Sequence, residues 1–300
     1  MPKAKLIYLV IFVLSLILCM LCIEVAPIYI LDEAKNAEAA REMWLSKNWF
    51  VPTFNDALRT DKPPLHYFFM SLGYQLFGVS AFSARIFSAL FGALTFLVTF
   101  YYARLYFNQR TALLAWGILM SSVFFVQVFH QAVPDPYLIF FVSTGLFLLF
   151  DFFMSKSLWK GLLAYTCFAL GILSKGPVAL LLPAISVFLF LIFSRNFNFK
   201  TILNFKPFHG LLWVLILVVP WFYFAHTLTD GNWTKGFFLD HNINRFSSEK
   251  EGHGGLFLIT WLYVFLGLFP FSVFFPAAIK TTWQNRRAHL MLVYCLSIDL

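Results

Sequence analysis

Apolar residues run through this chain in long blocks, and polar residues collect between them. About 20 apolar residues suffice to cross a bilayer as a helix, in which every backbone N–H and C=O is satisfied within the segment. Eight stretches are predicted to span, at roughly 6–23, 86–106, 111–129, 136–154, 161–174, 177–193, 210–227 and 255–275, and a ninth begins near 288. A further apolar stretch, PPLHYFFMSLGYQLFG at 63–78, is 16 residues long and opens on two prolines, which suits a helix N-terminus. The pattern changes at 32–45, where DEAKNAEAAREMWL places Asp32 in an N-cap position ahead of strong helix formers. Ala34, Ala37, Ala40 and Leu45 are available there to face the membrane, so the segment reads as an amphipathic helix on the bilayer surface. The predicted fold is all-α: one domain over 1–300, a polytopic transmembrane helical bundle with juxtamembrane amphipathic helices.

Composition fixes the class. Hydrophobic residues make up 60% of the chain, charged residues 12%, and Phe alone occurs 40 times, with a mean hydropathy of +0.77. This is an integral membrane protein, and its expected surroundings are a lipid bilayer, not a nucleic acid. Lys3 and Lys5 precede the first block as they would in a signal peptide, but the apolar run is long and lacks a small-x-small cleavage site, so it is read as a span. All four cysteines lie in apolar runs, and the spacing of Cys19 and Cys22 within the first span reads as packing rather than metal or redox chemistry.

Charge orients the bundle, because Lys and Arg accumulate in cytoplasmic loops. With the N-terminus inside, the inner loops hold Lys3, Lys5, Arg104, Arg110, Lys156, Lys160, Arg195, Lys200, Lys206, Lys280, Arg286 and Arg287, against the single acid Asp151. The outer side receives 24–85, the 130–135 and 174–177 turns and 228–254, with ten bases and twelve acids. A full span at 63–78 would scatter the inner bases across both faces, so that segment is predicted to be interfacial or re-entrant on the outer side. Residues 24–62 hold twelve of the 36 charged residues, which makes the outer face the place to look for chemistry.

The candidates there are Asp32, Glu33, Lys35 and Arg41 on the surface helix, then Asp61 and Lys62 before the two prolines. Asp135 stands in AVPDPYL and Lys175 in LSKGPVALLLP, both at span ends. Asp240, His241, Arg245 and His253 stand in the second outer loop. Read locally, each has a plain role: Asp32 and Asp135 cap helices, Lys62 snorkels, His253 sits in a solvated turn, and His66 and His226 pack. Brought together, bases and one or two carboxylates suit a phosphate-bearing lipid, with a carboxylate as general base; an Asp with a His can also hold a divalent metal.

In order along the chain, LDEAKNAEAAREMWLSKNWFVPTFND, DKPPLHYF, ARIFSALFGALTF, PDPYLIFF, LSKGPVALLLP and DHNINRFSS resemble the bacterial GT-C glycosyltransferases. The resemblance covers about 20–290 and points to the branch of the lipid A aminoarabinose transferase and the protein mannosyltransferase-like proteins. It implies that Asp32, with Glu33 beside it, is the catalytic acidic position, and that Lys62 contacts the phosphate of a polyprenyl-phosphate sugar donor. Lys35 and Arg245 assist with that phosphate, Asp135 and Lys175 line the outer cavity, and Asp61 with His241 matches a divalent-metal pair. Lys35 stands where relatives often have Arg, and Asp61 where they have Glu. Such relatives continue for further spans, whereas this chain ends at Leu300 in an apolar run, so the resemblance implies that the family's C-terminal part is absent and the chain is a fragment or a truncated, inactive product.

The activity so implied is sugar transfer in the bacterial inner membrane, on its periplasmic face, to lipid A, another glycolipid or a protein hydroxyl. A polyprenyl-lipid transporter or flippase is the rival from another class; its mark is paired helix breaks within spans and acids at mid-membrane, where this sequence has acids at span ends and in loops.

Overall fold

In a computed structural model the chain is described over residues 2–29, 31–194, 197–243 and 265–284, and it is helical nearly throughout. Helix α1 (Pro2–Met20) packs along α4 (Ala81–Tyr106), the longest element, which at 26 residues rises about 39 Å and exceeds the hydrocarbon thickness. Ser80 starts α4 sharply: its side chain accepts the Ser83 N–H, and the Ser83 hydroxyl accepts the Ser80 N–H at 2.9 Å.

The predicted span at 111–129 is two helices, α5 (Gln109–Ser121) and α6 (Val123–Phe129), bent by 67° at Ser122. Ser122 is extended (φ −80°, ψ 123°), and its hydroxyl donates to the Ile118 carbonyl while Ser121 donates to Gly117. Consecutive serines bonded back onto the preceding turn give the backbone an alternative to the helical ladder. Helices α7 (Asp135–Ser155), α8 (Leu158–Lys175) and α9 (Val178–Phe193) follow, and then a short α10 (Phe199–Asn204) leads into α11 (Pro207–Leu228). Among the described residues α4, α7 and α11 are each long and apolar enough to cross a membrane, and the bent pair α5 and α6 passes the same test when taken together, as a broken span or a re-entrant loop. The main core lies between α7, α8, α9 and α11, where Leu146, Phe168, Ala169, Leu191 and Val214 are buried.

Two corrections concern the predicted elements. Of the stretch 255–275 only 265–275 is described, and it is interrupted: after Gly267 the chain turns through Leu268–Pro270 into a 3-10 segment, Phe271–Phe274, because Pro270 has no N–H to continue the ladder. Helix α2 (Asp32–Ser46) forms as expected but buries another face: Glu33, Asn36, Ala39, Ala40 and Met43, not Ala34 or Leu45. That face lies on α3 (Leu65–Phe77), where Ser71 donates to the Ala40 carbonyl and Tyr74 to that of Ala37. At 13 residues α3 is about 20 Å long, too short to cross.

Candidate functional site

The polar layer is built around the start of α2. Leu31, not Asp32, holds the N-cap position, so Asp32 and Glu33 are the first two helical residues and meet opposite fates. Glu33 is buried, and its carboxylate accepts four hydrogen bonds: Arg85 Nε at 2.7 Å, Arg85 Nη2 at 2.8 Å, Tyr29 N at 2.8 Å and Ala132 N at 2.7 Å. Four bonds fill the acceptor capacity of an ionised carboxylate. Burial alone would raise the Glu33 pKa; the Arg85 hydrogen bonds and those from Tyr29 and Ala132 outweigh it and hold the group below the usual carboxylate range. Arg85 also donates to the carbonyls of Ile23, Ala26 and Pro27. One ion pair thus fastens the end of the α1 connection, the start of α2, the head of α4 and the 130–134 turn. Asp32, one residue earlier, is exposed, and among the described residues its carboxylate makes no hydrogen bond.

The loop from α2 to α3 is folded against the same layer. A two-residue hairpin pairs Thr53 with Leu58 and Phe54 with Ala57 across Asn55 and Asp56, both with positive φ (52° and 60°), the backbone of a type I′ turn. Glu42 of α2 accepts the Asn55 N–H at 2.7 Å. Arg59, 5% exposed, then donates to Tyr67 Oη at 2.8 Å and Asn36 Oδ1 at 3.0 Å, and lies 3.3 Å from Asp61 Oδ2. Its carbonyl accepts the Trp233 indole N–H at 3.0 Å, so α12 (Asn232–Lys235), in the second outer loop, lies on the first. The two segments predicted to share the outer face do meet.

Tyr67 and His66 mark where the charges converge. Burial pushes the Tyr67 hydroxyl up to about 12; Arg59 opposes the shift, while the negative charges of Asp61 and Asp32 add to it. His66 is wholly buried, with neither ring nitrogen in a hydrogen bond of good geometry, beside the backbones of Pro63 and Ser174. Burial first, then the positive charges of Arg59 and Lys62, pulls its pKa well below the usual value, so the ring is neutral. Since His66 reaches from Pro63 to Ser174, the residues next to them, Lys62 and Lys175, sit on adjoining stretches of backbone. Lys175, the last residue of α8, pairs with Asp135, the first of α7, at 2.6 Å.

Of the residues singled out in the sequence, Asp32, Asp61, Lys62, Asp135 and Lys175 fall in this layer, and Lys35 lies on the same first turns of α2. Glu33 faces inward, into the clamp. His241 belongs to a π-helical stretch, Gly236–Ile243, but its side chain lies outside the described residues, as does Arg245 altogether. Of the metal pair, Asp61 lies 3.3 Å from the Arg59 guanidinium and the His241 side chain is outside the described residues, among which no group of three or more His, Cys, Asp or Glu could hold an ion. Arg59, Arg85, Asn36 and Tyr67 were not picked out from the sequence. For Arg85 the available signal was an arginine four residues into an apolar 26-residue helix, a charge that needs a partner.

Three comparisons bear on this arrangement. Residues 61–224 match the family model of dolichyl-phosphate-mannose-protein mannosyltransferases. The chain is 30% identical over 264 residues to an undecaprenyl phosphate-α-4-amino-4-deoxy-L-arabinose arabinosyl transferase of Pectobacterium atrosepticum, covering 86% of this chain and 47% of that one. A protein of the same name from Aeromonas hydrophila is 28% identical over 286 residues, with 93% and 51% covered. In fold, the chain is similar to the crystal structure of ArnT from Cupriavidus metallidurans bound to undecaprenyl phosphate, with a TM-score of 0.88 and 23% identity over 97% of this chain and 54% of that one. The chain spans about half the length of the relatives it matches.

Proposed function

Because this chain belongs to the dolichyl-phosphate-mannose-protein mannosyltransferase family, we propose that it is, or is part of, a membrane glycosyltransferase that moves a sugar from a polyprenyl-phosphate donor to an acceptor outside the cytoplasm. The observation that carries this reading is the division of labour at the start of α2, where Glu33 is consumed by Arg85 and Asp32 is left exposed beside a cationic layer. The relatives named above carry an undecaprenyl phosphate-linked sugar in their name, which supports the donor class; the acceptor favoured here, a glycolipid such as lipid A, rests on the sequence resemblance.

In the reaction so proposed, an acceptor oxygen bonds to the anomeric carbon, the bond from that carbon to the phosphate oxygen breaks, and polyprenyl phosphate departs with the bonding electrons. Lys62, with Lys35 and Arg245, holds the phosphate, where fixed cations act on charge that grows in the transition state. Asp32 takes the proton of an acceptor hydroxyl. Lys175, held by Asp135, adds a further cation at the rim. Glu33 is a positioning residue: its buried pair with Arg85 sets where α2 begins. No step is assigned to a metal. The site faces the periplasm in this reading, since the bases of the opposite end outnumber its acids twelve to one.

The rival transporter reading expects paired helix breaks, and the described residues hold one bent pair, at Ser122. Transfer from labelled polyprenyl-phosphate sugar by the purified protein in lipid tests the proposal. Turnover lost in Asp32→Asn and in Lys62→Ala, with thermal unfolding unchanged, is the expected result; lipid binding without turnover in the unsubstituted protein overturns it.

A further inference from the structure

An apolar cavity of about 410 Å³ lies between α8, α9, α10 and α11, with its mouth, at Phe197, Phe205 and Pro207, at the end of the bundle opposite the Asp32 layer. Its wall along α9 runs from Leu180 to Leu191, about 16 Å of helix, which is the depth of one leaflet of a bilayer whose hydrocarbon is about 30 Å thick. The one hydroxyl in the wall, that of Tyr165, donates to the Phe205 carbonyl at 2.7 Å, and the Tyr165 ring lies where a side chain on Gly210 would be. The wall is otherwise made of apolar side chains, and the cavity suits a hydrocarbon chain.

Its mouth is basic. Lys156 lies over the Phe153 ring at 4.6 Å, Phe153 stacks on Phe205 at 4.7 Å with the planes 10° apart, and Phe205 both lines the cavity and precedes Lys206. Both lysines are exposed, and among the described residues neither has a carboxylate within ion-pair distance. Asp151, the acid of this end, is taken by Lys160 at 3.0 Å and by the Tyr106 hydroxyl. Phe197, Phe199 and Phe208 are more than half exposed around the same mouth, and α10 buries no residue, as befits a segment lying at the level of lipid headgroups. An apolar slot one leaflet deep under two uncompensated cations has the shape and charge of an anionic phospholipid.

We infer that this cavity is a binding site for an anionic phospholipid of the leaflet opposite the candidate active site, with one acyl chain along α9 and the phosphate between Lys156 and Lys206. The site goes beyond the glycosyl transfer proposed above and does not depend on it. It also differs from a donor site: α8 separates its mouth from Lys175 by about 25 Å, the rise of its 18 residues.

Native mass spectrometry of the whole chain in mild detergent tests the inference, with phosphatidylglycerol and phosphatidylcholine of identical acyl chains. The expected result is at least tenfold tighter retention of phosphatidylglycerol. A surface lysine contributes about fivefold to attraction of an anionic lipid, so the Lys156→Gln, Lys206→Gln pair should weaken phosphatidylglycerol about 25-fold and leave phosphatidylcholine unchanged. Ala184→Phe, an exposed position in the cavity wall, should weaken both lipids and serves if the lysine variant does not fold. Equal retention of the two lipids, or a phosphatidylglycerol preference that survives the lysine changes, overturns the assignment. So does one-for-one displacement by undecaprenyl phosphate, which would make the cavity part of the donor's own path; a failed transfer assay bears only on the proposed function.

Discussion

Arg85 and Glu33, 52 residues apart in the chain, meet in a two-pronged ion pair whose side chains are each 3% exposed. The pair takes two backbone N–H groups through Glu33 and three carbonyls through Arg85, and it fixes the start of the helix on which the exposed Asp32 stands.

Removing one partner of such a pair strands a buried charge, and the loss is about 3–5 kcal/mol. Glu33→Ala and Arg85→Ala are each expected to lower stability by that order, and the double variant by less than their sum. Arg85→Lys should not rescue, because an ammonium cannot reproduce the fork. Thermal or denaturant unfolding in detergent checks this; single losses below about 1 kcal/mol would contradict it.

The pair also predicts an acid response. The folded Glu33 pKa lies below its unfolded value of about 4.3, so its contribution is fully present above that pH and is lost as pH falls through the folded value. Unfolding curves of the unsubstituted protein and of Glu33→Gln should therefore differ most near neutrality and converge below about pH 4. A gap that stays constant down to pH 3 would assign the stabilisation elsewhere.

Lys175 and Asp135 form a different kind of pair, with 29% and 38% of their side chains exposed. Solvent screens it, so Lys175→Ala and Asp135→Asn should each change stability by no more than about 1 kcal/mol. If Lys175 is part of the phosphate rim, the same variants should raise KM for the polyprenyl-phosphate sugar about tenfold, the effect of about 1.4 kcal/mol of lost binding. Unchanged kinetics in both would remove the pair from the site.

Gly176, which ends α8 beside Lys175, has φ +99°, and a Cβ there would lie 2.7 Å from Phe237 Cζ. Gly78 has φ +78° with nothing within 4 Å of a Cβ. Gly78→Ala should pay the conformational cost alone, of order 1 kcal/mol, and Gly176→Ala should lose more, up to about 3 kcal/mol, as Phe237 is displaced. Equal Tm shifts for the two would show that Phe237 yields at no cost.

Cysteines placed at Asn55 and Asn232 in a background without Cys19, Cys22, Cys167 and Cys295 should both react with an impermeant thiol reagent from the periplasmic side. Labelling of either from the cytoplasm reverses the orientation argued from the loop charges.

The helical bundle was legible because burial in lipid leaves a coarse signal, a run of apolar residues, that needs no knowledge of partners. The breaks were not legible in the same way. Ser121 and Ser122 read as two ordinary small residues in an apolar run until their hydroxyls are seen to compete for the Gly117 and Ile118 carbonyls. On α2 the alanines were assigned to the membrane because they are apolar, whereas the helix turns a carboxylate and an amide inward, since Arg85 and Arg59 are there to meet them. Asp32 and Lys62 stood out by type and position. Arg59 and Arg85 did not, because a lone arginine in sequence gives no clue to which distant carboxylate or carbonyl will satisfy it.

Asp32 and Glu33 are neighbours of nearly the same chemistry, and the helix register alone decides which of them is available. A slip of α2 by one residue would present the shorter Asp32 to Arg85, Tyr29 and Ala132 and leave Glu33 outside, one methylene further from its backbone. The ion pair therefore acts as a ruler on the chain: it measures out the first turn of α2 so that one carboxylate of the two is spent on packing and the other, Asp32, stays exposed.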